Sequence, residues 1–405
     1  MSSPQDVIAA FEHSERRIFA ALARQPVRDL TADHDRCEVR ALLARSLGLA
    51  RIPAPTMRVS VVDEKSLGGC HLQCLAGTSW PGATVTAHLY LPDTPPPWPV
   101  VLVCCGHGAL GKTTYAAMGL RLARQGAAAL INDNIGQGER TPMGHWQVTT
   151  PFARGFSVQG MIVRESLAWL QWLKQDQRFT RLGAAGNSGG GTLTMCLAAL
   201  SDDLEAIAST GYPSSFELIA RKQKTHCHCN LFPGAIGRFD MWELYALFAP
   251  RPLLIMQGRY DNLFLLDSFL ATARKIKHIY QALGEPAAFA SAVPDGQHSW
   301  DAPRRQRIGE FFATHFGIRT PLPDDEDCRE PILDATCAPC LPSWPADALN
   351  ANALAGSFTG THLAPPLKLW DIYPPTGLPG PWPALSDRGP SEQILAQWEC
   401  FLADI

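Results

Sequence analysis

An α/β fold, with a mostly parallel central sheet covered by helices on both faces, is what the sequence predicts. From residue 100 onward, short apolar runs alternate with segments of helical periodicity. The first run, VVLVCC at 100–105, is continuously apolar, as expected of a strand buried on both faces. Such alternation is typical of parallel strands joined by crossover helices. With 405 residues, of which 46% are hydrophobic, the chain can bury a large core.

The chain divides into three parts by the texture of its sequence. Apolar residues in 4–25 and 35–48 have helical spacing, which predicts a helical N-terminal segment at 1–55. Short alternating runs from 56 to 93 predict antiparallel strands, and they open the α/β domain, which we place at 56–317. The remaining strands of that domain are predicted at 100–105, 127–133, 182–187, 205–210, 251–258 and 287–293, with helices at 113–125, 160–175, 190–200, 265–283 and 303–316.

The third part, 318–405, is rich in proline. Between residues 321 and 390 lie 14 of the 33 prolines, which excludes long helices and central strands there. Large aromatic residues are poor choices for a solvated chain, so we expect an extended arm packed on its own domain or on a partner subunit of a homo-oligomer. The aromatics are Trp344, Trp370, Tyr373 and Trp382.

Charge and hydropathy exclude several classes of partner. The formal net charge is −3, only 18% of residues are charged, and no basic run stands out, which argues against nucleic acid and anionic membrane surfaces. No apolar stretch reaches the roughly 18 residues of a spanning helix. The N-terminus lacks the pattern of an export signal. We therefore expect a cytoplasmic location, with the 12 cysteines reduced.

Gly186-Asn187-Ser188-Gly189-Gly190 fits the pattern G-x-S-x-G between a predicted strand and a predicted helix. In that position a sharp turn lifts the serine hydroxyl clear of the sheet, and small neighbours allow strand and helix to approach. Three consecutive glycines at a helix start lower helix propensity, so a requirement other than helix stability favours them. Ser188 is accordingly the candidate nucleophile.

A rival motif lies at 106–113, where GHGALGKT matches the phosphate-binding pattern G-x-x-x-x-G-K-[ST]. It too lies between an apolar strand and a helix. By chance this pattern occurs in roughly one such chain in a hundred, against roughly one in five for G-x-S-x-G, so rarity favours the nucleotide-binding interpretation. Under that interpretation Lys112 and Thr113 bind phosphate; otherwise they open a surface helix.

The residues after the later strands favour the hydrolase. Asp261 follows the strand at 251–258, and His298 follows the strand at 287–293. The order serine, acid, histidine, each after its own strand, is that of the α/β-hydrolase catalytic triad. A nucleotide-binding protein leaves this order unexplained. Asp295 is a second candidate acid, but it lies only three residues before the histidine.

The oxyanion hole and the pocket are assigned by position. In this fold the first donor is the amide after the nucleophile, Gly189, and the second comes from the loop after the strand at 100–105, which offers Ala109 or Gly108. The insert at 212–248 falls where a lid is usual. Candidate pocket residues are His107, Tyr212, Phe232 and Trp242.

We expect neither a cofactor nor a metal. The run His226-Cys227-His228-Cys229 offers metal-ligand residue types, but alternate residues of an extended chain point to opposite sides, so at most two of the four could face one ion. Cys337 and Cys340 have the C-x-x-C spacing of a zinc ligand pair, yet they lie in the arm.

Five segments, found in family order across roughly 85–316, carry a family resemblance. They are CGHGALGK, DNIGQGER, GNSGGGT, CHCNLFPG and APRPLLIMQGRYDNLF. Together they resemble the acetyl xylan esterase-like branch of the bacterial α/β-hydrolases, whose relatives include dienelactone-hydrolase-like and prolyl-oligopeptidase-like enzymes. The resemblance implies ester hydrolysis, with deacetylation of a carbohydrate or another small ester. The chain departs from the family at Leu265, where relatives commonly have proline after the phenylalanine.

The sequence thus predicts a serine hydrolase that cleaves a small-molecule carboxylic ester through an acyl-enzyme on Ser188, with His298 as general base and Asp261 orienting it. A hydrolase of another acyl bond, an amide, peptide, thioester or lactone, is the nearest alternative. A nucleotide-binding protein that uses GHGALGKT and a catalytically silent binding or assembly protein are the others.

Overall fold

A computed structural model of the protein describes residues 12, 15–108, 110–146, 148–222, 227–319 and 338–358. Within these residues one sheet of nine strands has the order β1-β2-β3-β5-β4-β6-β7-β8-β9. The strands are β1 (Arg58–Ser66), β2 (Cys70–Thr78), β3 (Thr84–Pro92), β4 (Trp98–Cys104), β5 (Ala128–Asn132), β6 (Phe179–Asn187), β7 (Leu204–Thr210), β8 (Leu253–Met256) and β9 (Phe289–Ala292).

Helices alternate with the strands from β4 onward, and the predicted α/β-hydrolase fold is confirmed. The α-helices are α1 (Asp33–Leu47), α2 (Ala116–Gln125), α3 (Thr150–Ala153), α4 (Val158–Gln175), α5 (Gly189–Leu200), α6 (Phe216–Lys222), α7 (Met241–Ala246), α8 (Leu266–Ala282), α9 (Ala302–Phe316) and α10 (Ala351–Ser357). Residues 15–22 are also helical. The helix predicted at 113–125 begins only at Ala116, because Gly111–Tyr115 form a tighter 3₁₀ turn.

The pairing of the strands changes once across the sheet, from antiparallel to parallel. The pairs β1–β2, β2–β3 and β3–β5 are antiparallel, and all pairs from β5–β4 to β8–β9 are parallel. Because β4 lies between β5 and β6, the connections leave it in opposite directions, and this reversal opens a crevice at the carboxyl ends of the strands.

Strand β4 is buried on both faces, which explains its continuously apolar sequence. Val100 and Leu102 belong to one buried cluster, whereas Val101 and Val103 belong to the other. Successive side chains of a strand point to opposite faces, so a strand covered on both faces buries every residue. Helices α2 and α9 cover one face, and α4, α5, α7 and α8 cover the other.

The described part of the arm, 338–358, packs on its own domain. The Leu349 amide donates to the Gly82 carbonyl oxygen at 2.8 Å. The side-chain oxygen of Asn352 accepts from the amides of Thr149 and Thr150, at 3.0 and 2.9 Å. Trp370, Tyr373 and Trp382 lie outside the described residues. In the part of the chain that the structure describes, no helix has both the length and the apolar character to cross a bilayer.

Candidate active site

Ser188 lies in a sharp turn between β6 and α5. Its φ and ψ are 58° and −120°, and among the described non-glycine residues it alone has a positive φ. Backbone in so sparsely populated a region costs about 1–3 kcal/mol and persists only where the surroundings impose it. Its amide donates to the Thr210 carbonyl oxygen at the end of β7, at 3.0 Å, which anchors the turn to the sheet.

Glycines allow this turn because the backbone of β4 passes very close to it. A Cβ at Gly190 would lie 2.0 Å from the Cys104 carbonyl oxygen. A Cβ at Gly186 would lie 2.4 Å from the Gly190 carbonyl oxygen. Any side chain at either position would force strand and helix apart. This close approach requires glycine, although glycine has a low helix propensity.

Asp261 and His298 are paired after β8 and β9. The His298 Nδ1–H donates to Asp261 Oδ2 at 2.7 Å. The other oxygen, Oδ1, accepts from the amides of Leu263 and Phe264, at 2.8 and 2.9 Å. Burial alone would raise the pKa of the Asp261 carboxyl, but the hydrogen bonds from His298 and the two amides hold it below its ordinary value. Asp261 is therefore ionised and fixes the imidazole with its proton on Nδ1, so that Nε2 carries the lone pair.

The histidine lies beside the nucleophile turn. Gly211 directly follows Thr210, the residue that anchors Ser188, and a Cβ at Gly211 would lie 3.2 Å from His298 Cε1. The structure thus brings the three predicted triad residues to one edge of the sheet. Asp295, the second candidate acid, instead pairs with Arg259 at the surface at 2.8 Å.

The predicted oxyanion donors are only in part available. The Gly189 amide belongs to the first turn of α5 and has no acceptor within the helix. The Gly108 amide donates to the side-chain oxygen of Gln137 at 3.0 Å, so this predicted donor already has an acceptor. Ala109 lies outside the described residues. Gln137, which the sequence analysis did not select, therefore holds the loop.

The phosphate-binding interpretation of GHGALGKT is contradicted by the position of Lys112. This side chain is only 2% exposed, and its Nζ donates to Asp133 Oδ2 at 2.6 Å and pairs with Glu139. A P-loop lysine must instead reach phosphate. The alternative placement on a surface helix is also wrong, since Thr113 is buried as well.

A second buried ion pair braces the loop after β5. Arg140 donates to both oxygens of Glu165 on α4, at 2.6 and 3.0 Å, and to the Asp133 carbonyl oxygen at 2.9 Å. The Ser79 hydroxyl donates to the same carboxylate at 2.6 Å. This network fixes the chain between Asp133 and Arg140, which carries Gln137.

Glu165→Gln should therefore lower the free energy of unfolding by about 3–5 kcal/mol, since it leaves the Arg140 charge buried without a counter-charge. Urea unfolding followed by circular dichroism measures the loss. Glu205→Gln is the matched control: its pair with Arg181 is about half exposed, and such pairs contribute about 1 kcal/mol or less. Equal losses in the two variants would contradict this role.

A small cleft of about 10 Å³ lies beside the nucleophile turn. Its walls include His107, Gln137, Gln159, Gly189 and Cys229. Of the four candidate pocket residues, His107 alone is among those that line it.

The other three candidate pocket residues lie elsewhere. Tyr212 is fully buried and stacks on Phe264 at a ring distance of 5.0 Å. Phe232 packs on Phe216, also at 5.0 Å, and Trp242 lies under Lys275. Those aromatics belong to the core or to its rim, which is the commoner use of such residues.

Four metal-ligand side chains meet at this cleft: His107, His145, Cys227 and Cys229. All their ligand atoms lie within 4.8 Å of one another. The alternate pair of the HCHC run thus faces one point, as the geometry of an extended chain allows. His228 turns instead toward the Val148 carbonyl oxygen, and His226 lies outside the described residues. We name these four side chains the cleft cluster.

A second group, which we name the arm cluster, comprises Cys74, His88 and Cys340. All three are buried between the sheet and the arm. Their ligand atoms also lie within 4.8 Å of one another. Cys337, the other half of the C-x-x-C pair, lies outside the described residues.

The architecture and the positions of Ser188, Asp261 and His298 define the class: this is an α/β-hydrolase fold with its triad positions at the carboxyl edge of the sheet. Residues 64–232 match the family model described as esterase FrsA-like. YtaP of Bacillus subtilis (strain 168), which is named as a hydrolase, is 24% identical over 168 residues, 40% of this chain and 56% of that protein. The chain therefore aligns with little more than half of that relative.

Solved structures of esterases share the fold. Methylesterase BT1017 is 19% identical with a TM-score of 0.64, and the match covers 86% of this chain and 79% of that protein. Glucuronoyl esterase from Solibacter usitatus is 14% identical with a TM-score of 0.58, and 73% of this chain covers all of it. A Bacteroides fragilis structure named as an acetyl xylan esterase is 16% identical with a TM-score of 0.53, with coverages of 67% and 78%. At the level of the fold, the expected likeness to acetyl xylan esterases is confirmed.

Proposed function

We propose that the protein is a serine hydrolase that cleaves carboxylic esters. The observation that carries this proposal is the 2.7 Å hydrogen bond from His298 to the buried, ionised Asp261, beside the strained turn of Ser188. The strained turn and the buried charge both cost stability, and catalysis accounts for that cost better than binding alone. The esterase family model and the esterase neighbours support the same activity.

The mechanism follows from the roles of the three side chains. His298 Nε2 takes the hydroxyl proton of Ser188 as its Oγ bonds to the ester carbonyl carbon, and the carbonyl oxygen becomes an oxyanion that the Gly189 amide stabilises. The C–O bond then breaks, and the leaving alcohol receives the proton from the imidazolium. Water then gives a proton to the same nitrogen and adds to the acyl carbon. The bond from that carbon to Ser188 Oγ breaks, Oγ takes the proton from the imidazolium, and the acid is released.

The second oxyanion donor is an amide of the 107–109 loop. Its location after β4 supports this assignment, because the loop packs against the first turn of α5: Gly106 Cα and the His107 ring both lie against Gly189. With the Gly108 amide bound to Gln137, the amides of His107 and Ala109 are the remaining candidates. A preorganised pair of donors matters because losing one costs about 10²–10³ in rate.

Active-site labelling tests the proposal directly. A fluorophosphonate probe should attach to Ser188, as peptide mass spectrometry would show, and the chain should turn over p-nitrophenyl acetate. Matched phenyl acetate, anilide, thioester and lactone substrates separate an esterase from hydrolases of other acyl bonds. A folded chain that neither reacts with the probe nor hydrolyses any of these substrates would instead be a silent binding protein.

A carbohydrate ester is the substrate we propose. Trp146 is 55% exposed, and its ring lies 5.6 Å from that of His107, which lines the cleft. An exposed indole at the rim offers an apolar platform for the face of a sugar ring. The acetyl xylan esterase and glucuronoyl esterase among the neighbours, by their names, act on esters of this kind.

Trp146→Ala should raise KM for an acetylated sugar roughly three- to tenfold, the factor expected for one stacked ring, and leave p-nitrophenyl acetate unaffected. Steady-state kinetics on the two substrates measures this. Phe19→Ala removes an aromatic ring that is 69% exposed, on the N-terminal helical segment, and serves as the control. A parallel rise of KM for both substrates would contradict sugar stacking.

Two further proposals concern the setting of the enzyme. We place it in the cytoplasm, because none of the nine cysteines in the described residues forms a disulfide. A reducing compartment keeps thiols in that state. We also retain a homo-oligomer through the arm as a proposal, to be tested by light scattering of the full chain. The ester itself needs no cofactor in this mechanism.

A further inference from the structure

We propose that the cleft cluster, His107, His145, Cys227 and Cys229, binds a zinc ion, which joins three loops around the active site. Two thiolates and two imidazoles are the ligand set of tetrahedral Zn²⁺ sites. The ligands come from the loop after β4, the loop after β5 and the insert after β7, so no local sequence motif announces the site.

The distances suit one ion. His107 Nε2 lies 3.1 Å from His145 Nε2 and 3.2 Å from Cys229 Sγ. Zn–N bonds of about 2.0–2.1 Å and Zn–S bonds of about 2.3 Å place the ligand atoms of a tetrahedron roughly 3.4–3.8 Å apart. An outward movement of a few tenths of an ångström, on the order of the difference between those distances, brings the ligands into range.

The atoms that hold the ligands in place also point to a cation. His145 Nδ1–H donates to the Ile135 carbonyl oxygen at 2.7 Å, which directs the Nε2 lone pair toward His107. Hydrogen bonds of this kind orient zinc-bound histidines. The Cys229 amide donates to Cys227 Sγ at 3.4 Å, a contact that favours thiolate. Protons can satisfy only some of these converging lone pairs, whereas one cation satisfies four together.

Four protein ligands leave no open position, which is the mark of a structural rather than a catalytic zinc site. The ion would therefore not polarise the ester. It would fix the loop that carries the oxyanion donors, because His107 adjoins Gly108 and its ring lies against Gly189. The inference concerns metal binding and stands whether or not the protein hydrolyses esters.

Zinc counting tests the cleft cluster. The full chain is purified without a histidine tag or chelator from zinc-supplemented cells, and zinc per chain is measured by mass spectrometry. His145→Gln and Cys227→Ser should each lose one zinc per chain relative to wild type. His228→Gln, which alters the histidine between the two cysteines, is the matched control and should lose none, as should Ser188→Ala.

A second readout covers variants that fold poorly. Wild type that is stripped of metal and refilled with Co²⁺ should show a thiolate-to-cobalt charge-transfer band and the intense visible bands of tetrahedral cobalt. The stripped protein should have a lower thermal midpoint than the metal-bound protein. His228→Gln should show the same bands. Folded wild type without zinc and without the cobalt spectrum overturns the proposal, as does an undiminished zinc content in both ligand variants.

A separate observation carries a second inference: we infer that the arm cluster, Cys74, His88 and Cys340, also binds zinc and fastens the arm to the sheet. His88 Nε2–H donates to the Ala338 carbonyl oxygen at 2.8 Å, so Nδ1 carries the lone pair. This nitrogen is buried and has no hydrogen-bond partner among the described residues. His88 is 1% exposed, and one of its ring nitrogens and both thiol sulfurs lie within 4.8 Å of one another.

Paired alanine variants on β2 test the arm cluster by the same zinc count. Cys74→Ala should lose one zinc and keep the one at the cleft cluster, whereas Cys70→Ala, which removes a buried thiol from the same strand, should lose none. A Cys74→Ala chain with the zinc content of wild type overturns this inference and leaves the cleft cluster unaffected.

Discussion

Ser188→Ala should lower kcat for p-nitrophenyl acetate by at least about a thousandfold, because no other group then forms the acyl-enzyme. The effect is large because the triad acts as a unit, and removal of its nucleophile leaves only transition-state binding by the oxyanion hole. The same substitution removes one hydroxyl from a half-buried position, so the thermal midpoint should stay near that of wild type.

Ser209→Ala is the matched control for this loss. Its hydroxyl lies under the same turn, at 2.9 Å from Thr194 and 2.7 Å from Tyr245, but inside the core rather than in the cleft. We expect it to lower stability modestly and to leave kcat within a few-fold of wild type. Comparable activity of Ser188→Ala and wild type would remove Ser188 from the reaction and, with it, the proposed function.

Asp261→Asn should lower kcat by roughly 10³–10⁴ with little change in KM, since an amide presents its N–H to His298 Nδ1 and favours the wrong tautomer. The carboxylate also stabilises the imidazolium that forms during the reaction, and the amide cannot. Steady-state kinetics with p-nitrophenyl acetate measures the loss. Asp295→Asn, which alters the exposed partner of Arg259, serves as the control.

The pH dependence of this loss has a defined sign. The pKa of Asp261 is lowered in the folded protein, so its contribution is complete above the ordinary aspartate pKa of about 3.9 and is lost only as the pH falls through the lowered value. Asp261 should therefore stay ionised from neutral pH down to about 4, and infrared difference spectra of wild type against Asp261→Asn should show no C=O band of a protonated Asp261 in that range. Such a band appearing between pH 7 and 5 would contradict the lowered pKa.

The three candidate triad residues could be selected from the sequence because each follows a strand whose apolar pattern is local. Ser188, Asp261 and His298 need only the positions of β6, β8 and β9, and parallel strands bring their carboxyl ends to one edge. The features that the sequence did not reveal depend on contacts between residues far apart in the chain. Nothing near Lys112 shows that its charge is buried against Asp133 and Glu139, two residues that a different loop supplies.

The cleft cluster also depends on long-range contacts that the sequence does not reveal. The alternation of the HCHC run correctly restricts it to two ligands for one ion, but the other two, His107 and His145, lie some 80 or more positions earlier in the chain. Side-chain facing within one extended segment is a local property, whereas the meeting of three loops is a property of the fold. The three candidate pocket aromatics do not line this cleft, and residue type alone could not show that, because the same residues occur in core and cleft.

The carboxylate of Glu139 links the loop after β5 to the arm, which is synthesised after the sheet. This carboxylate accepts from the amides of Cys340 and Leu341, at 3.0 and 2.9 Å, while it pairs with Lys112 beneath the active-site loop. A ribosome that has finished the last strand of the sheet has not yet released these two amides. Glu139 therefore gains two of its hydrogen-bond donors only after the whole sheet has been synthesised, from residues that follow the last strand.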